Sequence, residues 1–170
     1  MNIDQLRTRF AYNKWANERL LNAAAHVTAE EFTRVLGASH GSIRGTLVHI
    51  VLGEWDWLRL WLGDSWREIA QKEPPPEAFP DVATLLSEWA TITRDHQAFI
   101  NSLTDEALNA VFSFESFQTE QQKFLLADTV QHVLNHSSYH RGQVVTLLRQ
   151  LGHAPPGTDF LTFLLEGQQA

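Results

Sequence analysis

The sequence contains no cysteine. Disulfides, thiolate metal ligands and a cysteine nucleophile are therefore excluded. The same absence fits a cytoplasmic protein. No run approaches the roughly 18 apolar residues that span a bilayer, so no membrane partner is expected. Basic residues are few: 13 Lys and Arg stand against 20 Asp and Glu, a formal charge of −7. They are scattered, with no basic run, and phosphate-backbone binding needs clustered positive charge. A nucleic-acid partner is not expected. Residues 1–10 carry Asp4, Arg7 and Arg9 and lack the apolar core of a signal peptide. A glycine-rich phosphate loop, a GxSxG elbow and a convincingly spaced carboxylate pair are also missing. No internal repeat or low-complexity tract occurs.

What is present is a globular mixture. Apolar residues make up 44% of the 170, and six Trp and ten Phe supply large surfaces to bury. This length favours a single domain, residues 1–170, with a proper core. Apolar residues at helical spacing predict a first long helix over about 4–26, carrying Leu6, Phe10, Trp15, Leu20 and Leu21 on one side. A second covers about 42–62, with Ile43, Leu47, Ile50, Val51, Trp55, Leu58 and Trp61. The third covers about 82–103 and the fourth about 126–151, where Gly152 and Pro155-Pro156 stop it. Thr28-Ala29-Glu30-Glu31 and Thr104-Asp105-Glu106 read as short capped turns. Pro74-Pro75-Pro76 and Pro80 exclude a helix interior and predict a crossover linker between the second and third long helices. Residues 111–117, from Val111 to Phe117, alternate apolar and polar, which predicts a small hairpin before the fourth. A short last helix covers about 159–165. The pattern predicts an all-α four-helix bundle with one long crossover.

The histidines carry the chemistry. His132, His136 and His140 recur at four-residue spacing. On a helix, neighbours at that spacing lie about 40° apart and about 6 Å along the axis, so two imidazoles can converge on one ion. His132 and His140 differ by about 12 Å, too far to share it. The helical pair is therefore His132 with His136 or His136 with His140. His49, among apolar neighbours in the second long helix, is the candidate third ligand, because a buried imidazole needs a partner. Three imidazoles leave positions open for water or substrate, the pattern of a catalytic site. Such ligation suits Zn, Ni, Fe, Co or Mn.

Other residues read more plainly. Arg141 is expected to face solvent or an ion-pair partner, with a possible role in steering an anionic substrate. Gly142 suggests close helix packing. Gln143 can orient a ligand or simply sit on the helix surface. Tyr139, Trp55, Trp57 and Trp61 are expected in the core or pocket walls, and Asn13 and Asn135 on the surface, with a place behind the ligands as the alternative.

Residues 135–143, Asn-His-Ser-Ser-Tyr-His-Arg-Gly-Gln, resemble the NHxxYHRGQ signature of the DinB family of damage-inducible helical proteins. Residues 42–50, followed by Glu54-Trp55, resemble that family's second-helix motif. Residues 12–17, with Tyr12, Asn13, Trp15, Ala16 and Asn17, resemble its YNxWAN pattern, and Phe112-Ser113-Phe114 its hairpin. The resemblance implies a four-helix bundle, often a homodimer, with a divalent metal held by His49, His136 and His140. It moves His132 to a place behind the ligands. The wider superfamily includes thiol-dependent isomerases and transferases, so a low-molecular-weight thiol becomes a candidate cofactor. The resulting expectation is a metal-dependent S-transferase or hydrolase acting on a small molecule. Its rival is a non-catalytic metal-binding stress-response dimer.

Overall fold

Polar side chains set the helix starts in this chain. Asn2, Thr28, Ser42, Ser65, Asp81 and Thr104 each accept a backbone N–H from the first turn of the helix that follows. The structure, a computed structural model, describes residues 1–116 and 120–168. The long helices are α1 (Ile3–Ala24), α3 (Ile43–Trp61), α5 (Val82–Ser102) and α7 (Leu126–Gln150). Short helices are α2 (Ala29–Thr33), α4 (Trp66–Lys72), α6 (Asp105–Leu108) and α8 (Phe160–Gly167). The protein is thus mostly helical, as the periodicity predicts.

One two-stranded antiparallel sheet interrupts the helices. β1 (Val111–Glu115) pairs with β2 (Gln121–Leu125), with Val111 opposite Leu125. Phe117, at the end of the alternating run, lies outside the described residues. The crossover between α3 and α5 is less irregular than its prolines suggest. Ser65 and Glu68 form a capping box, and Ile69 is buried, so α4 forms ahead of the prolines. A 3-10 turn, Pro76–Ala78, follows.

Among the long helices, α1 and α3 each pack against both α5 and α7. The apolar interior is divided in two. One cluster includes Leu20, Leu21, Leu47, Ile92 and Leu147; the other includes Leu6, Phe10, Leu58, Ile100 and Val133. Between them, every long helix contributes a buried polar residue. Asn13 and Asn17 lie between Phe10 and Leu20, Glu54 between Val51 and Leu58, His96 between Ile92 and Ile100, and Ser137 and Arg141 between Leu134 and Val144. A polar layer therefore crosses the helical core. Among the described residues, no helix is long and apolar enough to cross a membrane.

Candidate functional site

The heptad-like stripe of α7 turns His136 and His140 toward α3, which carries His49. The His136 and His49 Nε2 atoms lie 2.8 Å apart. The ring centroids of His49 and His140 are 4.5 Å apart, as are those of His136 and His140. The structure thus brings together the three imidazoles that the motif resemblance implies. It adds one that the spacing did not reveal. His40, in the loop before α3, stacks on His49 at 3.8 Å and meets His140 edge-on at 5.0 Å. One ligand nitrogen from each of His40, His49 and His140 lies within 4.8 Å of the others, a trio that takes in His40, while His136 joins the cluster through its contact with His49. His132 stands outside this group: it is exposed, its ring 5.1 Å from Trp57.

Backbone and hydrogen bonds hold the rings in place. Gly53 faces His136, where a Cβ would come 3.0 Å from the ring Cε1. The missing side chain is what lets α7 seat that imidazole against α3. Gln143 Oε1 lies 3.0 Å from His140 Nδ1. That amide oxygen can only accept, so Nδ1 is the protonated nitrogen and Nε2 keeps its lone pair. Burial, then the neighbouring imidazoles, lower the pKa of His49 and of His136 to about 4. Burial and then His140 lower that of His40. At neutral pH these rings are uncharged bases, the form in which imidazole binds a cation. The donor set is all nitrogen, which fits a first-row divalent ion.

The residues flanking these histidines do different work. Ser137 and Arg141 follow His136 and His140, and Glu54 follows Gly53, one helical step around and into the core. Glu54 Oε1 accepts hydrogen bonds from Asn13 Nδ2 at 2.8 Å, Asn17 Nδ2 at 2.9 Å and Ser137 Oγ at 2.6 Å. Arg141 Nη1 donates to Asn13 Oδ1 at 2.6 Å and Asn17 Oδ1 at 2.8 Å. Two asparagines thus relay between a buried carboxyl and a buried guanidinium, joining α1, α3 and α7. Burial raises the Glu54 pKa, opposed by the Ser137 and Asn13 hydrogen bonds, the Arg141 charge and the Asn17 bond. His96 Nδ1 lies 3.9 Å from Glu54 Oε2, but burial lowers the His96 pKa to about 4. The imidazole is neutral there and forms no ion pair at pH 7.

Several expectations change. Arg141 is 3% exposed and Asn13 1%, so neither is a surface residue. Burial turns Arg141 away from solvent, and three of its five donors go to Asn13, Asn17 and Ser138. Tyr139 is exposed and lines a surface cavity beside Gln143, a wall residue rather than a core one, and among the described residues nothing crowds Gly142. Asn135 is exposed, as expected, and Trp61 is buried. Gln143 does orient a histidine.

A cavity of about 470 Å³ opens beside His40 and His49 and runs along α3 past Gly53 to Asp56, with Arg44 also on its wall. That volume suits a small-molecule ligand. Asp56 lies two turns, about 10 Å, beyond His49. Its Oδ1 is buried and has no hydrogen-bond partner among the described residues, and burial, then the Glu73 charge, push its pKa up to about 7. Its only sequence signal was a carboxylate among the tryptophans of an apolar helix.

Comparison with known proteins converges on one family. The pattern describing the DinB family matches residues 1–169. Protein DinB of Bacillus subtilis is 23% identical over 158 residues, covering 91% of each chain. The crystal structure of a DinB-like protein from Bacillus cereus superposes with a TM-score of 0.69 at 18% identity, covering 92% of this chain and 97% of that one.

Proposed function

The chain belongs to the DinB family, and from that premise we propose that it holds one divalent first-row ion between α3 and α7 and acts as a metal-dependent enzyme on a small molecule. In this reading the four long helices form a four-helix bundle whose role is to aim His49, His136 and His140 at one point. The observation that carries it is the meeting of His49 with His136, Nε2 to Nε2 at 2.8 Å, with His140 beside both. Neutral imidazoles at that separation share either a proton or a cation. A bound ion of this class (Zn, Ni, Fe or Mn) supplies acidification of a coordinated water or thiol. The chain's own contribution is a cavity beside His49 and a carboxyl, Asp56, that can give or take a proton near neutrality. Reaction classes that fit are S-transfer from a low-molecular-weight thiol and hydrolysis. The protein is proposed to work in the cytoplasm.

The second reading is a non-catalytic metal-binding stress-response homodimer. It draws support from the apolar side chains left exposed on α8, among them Leu161 and Leu165.

Metal analysis of protein purified without a histidine tag tests the first reading. About one equivalent of Zn, Ni or Mn per chain is expected. Less than a tenth of an equivalent after metal addition would overturn it. Turnover with thiols and electrophiles, lost in His136→Ala while the fold persists, selects the enzyme over the non-catalytic dimer.

A further inference from the structure

We propose that His40 is a fourth imidazole ligand of the same centre, delivered by the loop before α3 rather than by a long helix. The inference rests on the reading of the cluster as a metal centre. It goes beyond the three helical histidines that the motifs imply.

The first support is position. The His40 ring lies parallel to His49 within 19°, at 3.8 Å, and its ligand nitrogen belongs with those of His49 and His140 in one group no wider than 4.8 Å. Three imidazole nitrogens gathered within that span offer a divalent cation a ready set of donors.

The second support is how the loop is held. Leu36 N–H donates to the Gly41 carbonyl and Gly41 N–H to the Ala38 carbonyl, closing a tight turn around His40. Gln143 clasps the turn from α7: its Oε1 takes the His140 Nδ1–H, and its Nε2 donates to Ser39 Oγ at 3.1 Å. One amide therefore orients a helical histidine and also anchors the residue next to His40. On α3, Gly45 lies directly under the turn, and a Cβ there would be built into the His40 carbonyl oxygen. So three separate features place the loop histidine: a turn, a side-chain clasp and a glycine seat. None of them is required simply to connect α2 to α3.

The consequence concerns access. Four protein nitrogens fill a four-coordinate ion, and three leave a position open. His40 is the donor that can withdraw without moving a long helix. Its release would open the centre toward the cavity that it lines.

Cobalt(II) loading of tag-free full-length protein tests this, read by visible absorption and by competition with a chelator. Four-coordinate Co(II) absorbs far more strongly in the visible than five- or six-coordinate Co(II). We expect intense bands for the wild type. In His40→Ala we expect weaker bands and an affinity lower by at least about tenfold. Gly45→Ala, which pushes the loop away and leaves every imidazole in the sequence, should shift the bands the same way. Arg94→Ala, exposed on α5, should change nothing. His40→Gln is read in place of His40→Ala if circular dichroism shows the latter unfolded. Wild-type binding with an unchanged spectrum and affinity in the His40 variants would overturn the proposal and leave the metal centre standing. No Co(II) binding by the wild type would overturn the metal centre itself, and this proposal with it.

Discussion

Two polar clusters lie one residue apart on the same helices, yet their surroundings differ sharply. His136, His140 and Gly53 face the half-buried imidazole group. Ser137, Arg141 and Glu54 face the core, where Asn13, Asn17 and His96 meet them between two apolar clusters. In the core cluster, one Glu54 oxygen takes three hydrogen bonds and Arg141 gives three. In the imidazole group, neutral bases crowd around His49, and burial and mutual repulsion hold off their protons. A satisfied network fixes the rotation and depth of α1, α3 and α7. The imidazole group joins α3 to α7 through one ring-to-ring contact and keeps nitrogen donors available for a cation. The first cluster therefore reads as the frame and the second as the site.

Removing one side of the frame should give the largest effect. Arg141→Ala leaves the buried Glu54 carboxyl and two asparagines without the guanidinium that they surround. A loss of about 3–5 kcal/mol in unfolding free energy is expected from denaturant titration. A loss under about 1 kcal/mol, the range of a surface pair, would deny the frame its role.

Acid should attack the same layer next. The folded His96 pKa of about 4 lies below its ordinary value of 6.5, so the unfolded chain binds the proton first as pH falls. Stability is then complete above pH 6.5 and declines down to about pH 4, by about 3 kcal/mol for His96. His96→Leu should flatten that part of the pH–stability curve of the metal-free protein. Parallel curves for variant and wild type would contradict the assignment.

Breaking the site should do the reverse of breaking the frame. His136→Ala is expected to lower metal affinity by at least about tenfold while changing metal-free stability by less than about 1 kcal/mol. Calorimetric titration and denaturant unfolding of the same preparation read both. The mildest test is Gly53→Ala. Its Cβ requires His136 to retreat by a few tenths of an ångström. A smaller loss of affinity than in His136→Ala is expected, with stability held level by the better helix propensity of alanine, about 1 kcal/mol.

The sequence made one cluster far more visible than the other. His136 and His140 stand out because four-residue spacing on a helix is itself a ligand pattern, and apolar periodicity, with Gly152 and the prolines as stops, made the long-helix limits readable to within two residues. Asn13, Asn17 and Glu54 were hidden by their chemistry, since helical periodicity assigns polar side chains outward. Their signal was positional. Asn13 and Asn17 continue the stripe from Phe10 to Leu20, and Glu54 sits where a core residue belongs between Val51 and Leu58. A gap in an apolar stripe filled by several polar residues at matching heights of different helices marks a buried network. His40 had no such signal, because a loop has no period that tells which way it folds back. Gly45 was the nearest hint, a glycine inside the first turn of a long helix where nothing local demands one.

The central claim is that the imidazole group is a cation site whose frame lies elsewhere. Unfolding free energy with and without zinc, for the wild type and His49→Ala, tests it most directly. At about a hundredfold excess of free zinc over its dissociation constant, the wild type should gain about 2.7 kcal/mol. His49→Ala, with its frame intact, should unfold cooperatively and gain almost nothing. An equal gain in both proteins, or none in the wild type, would contradict the account.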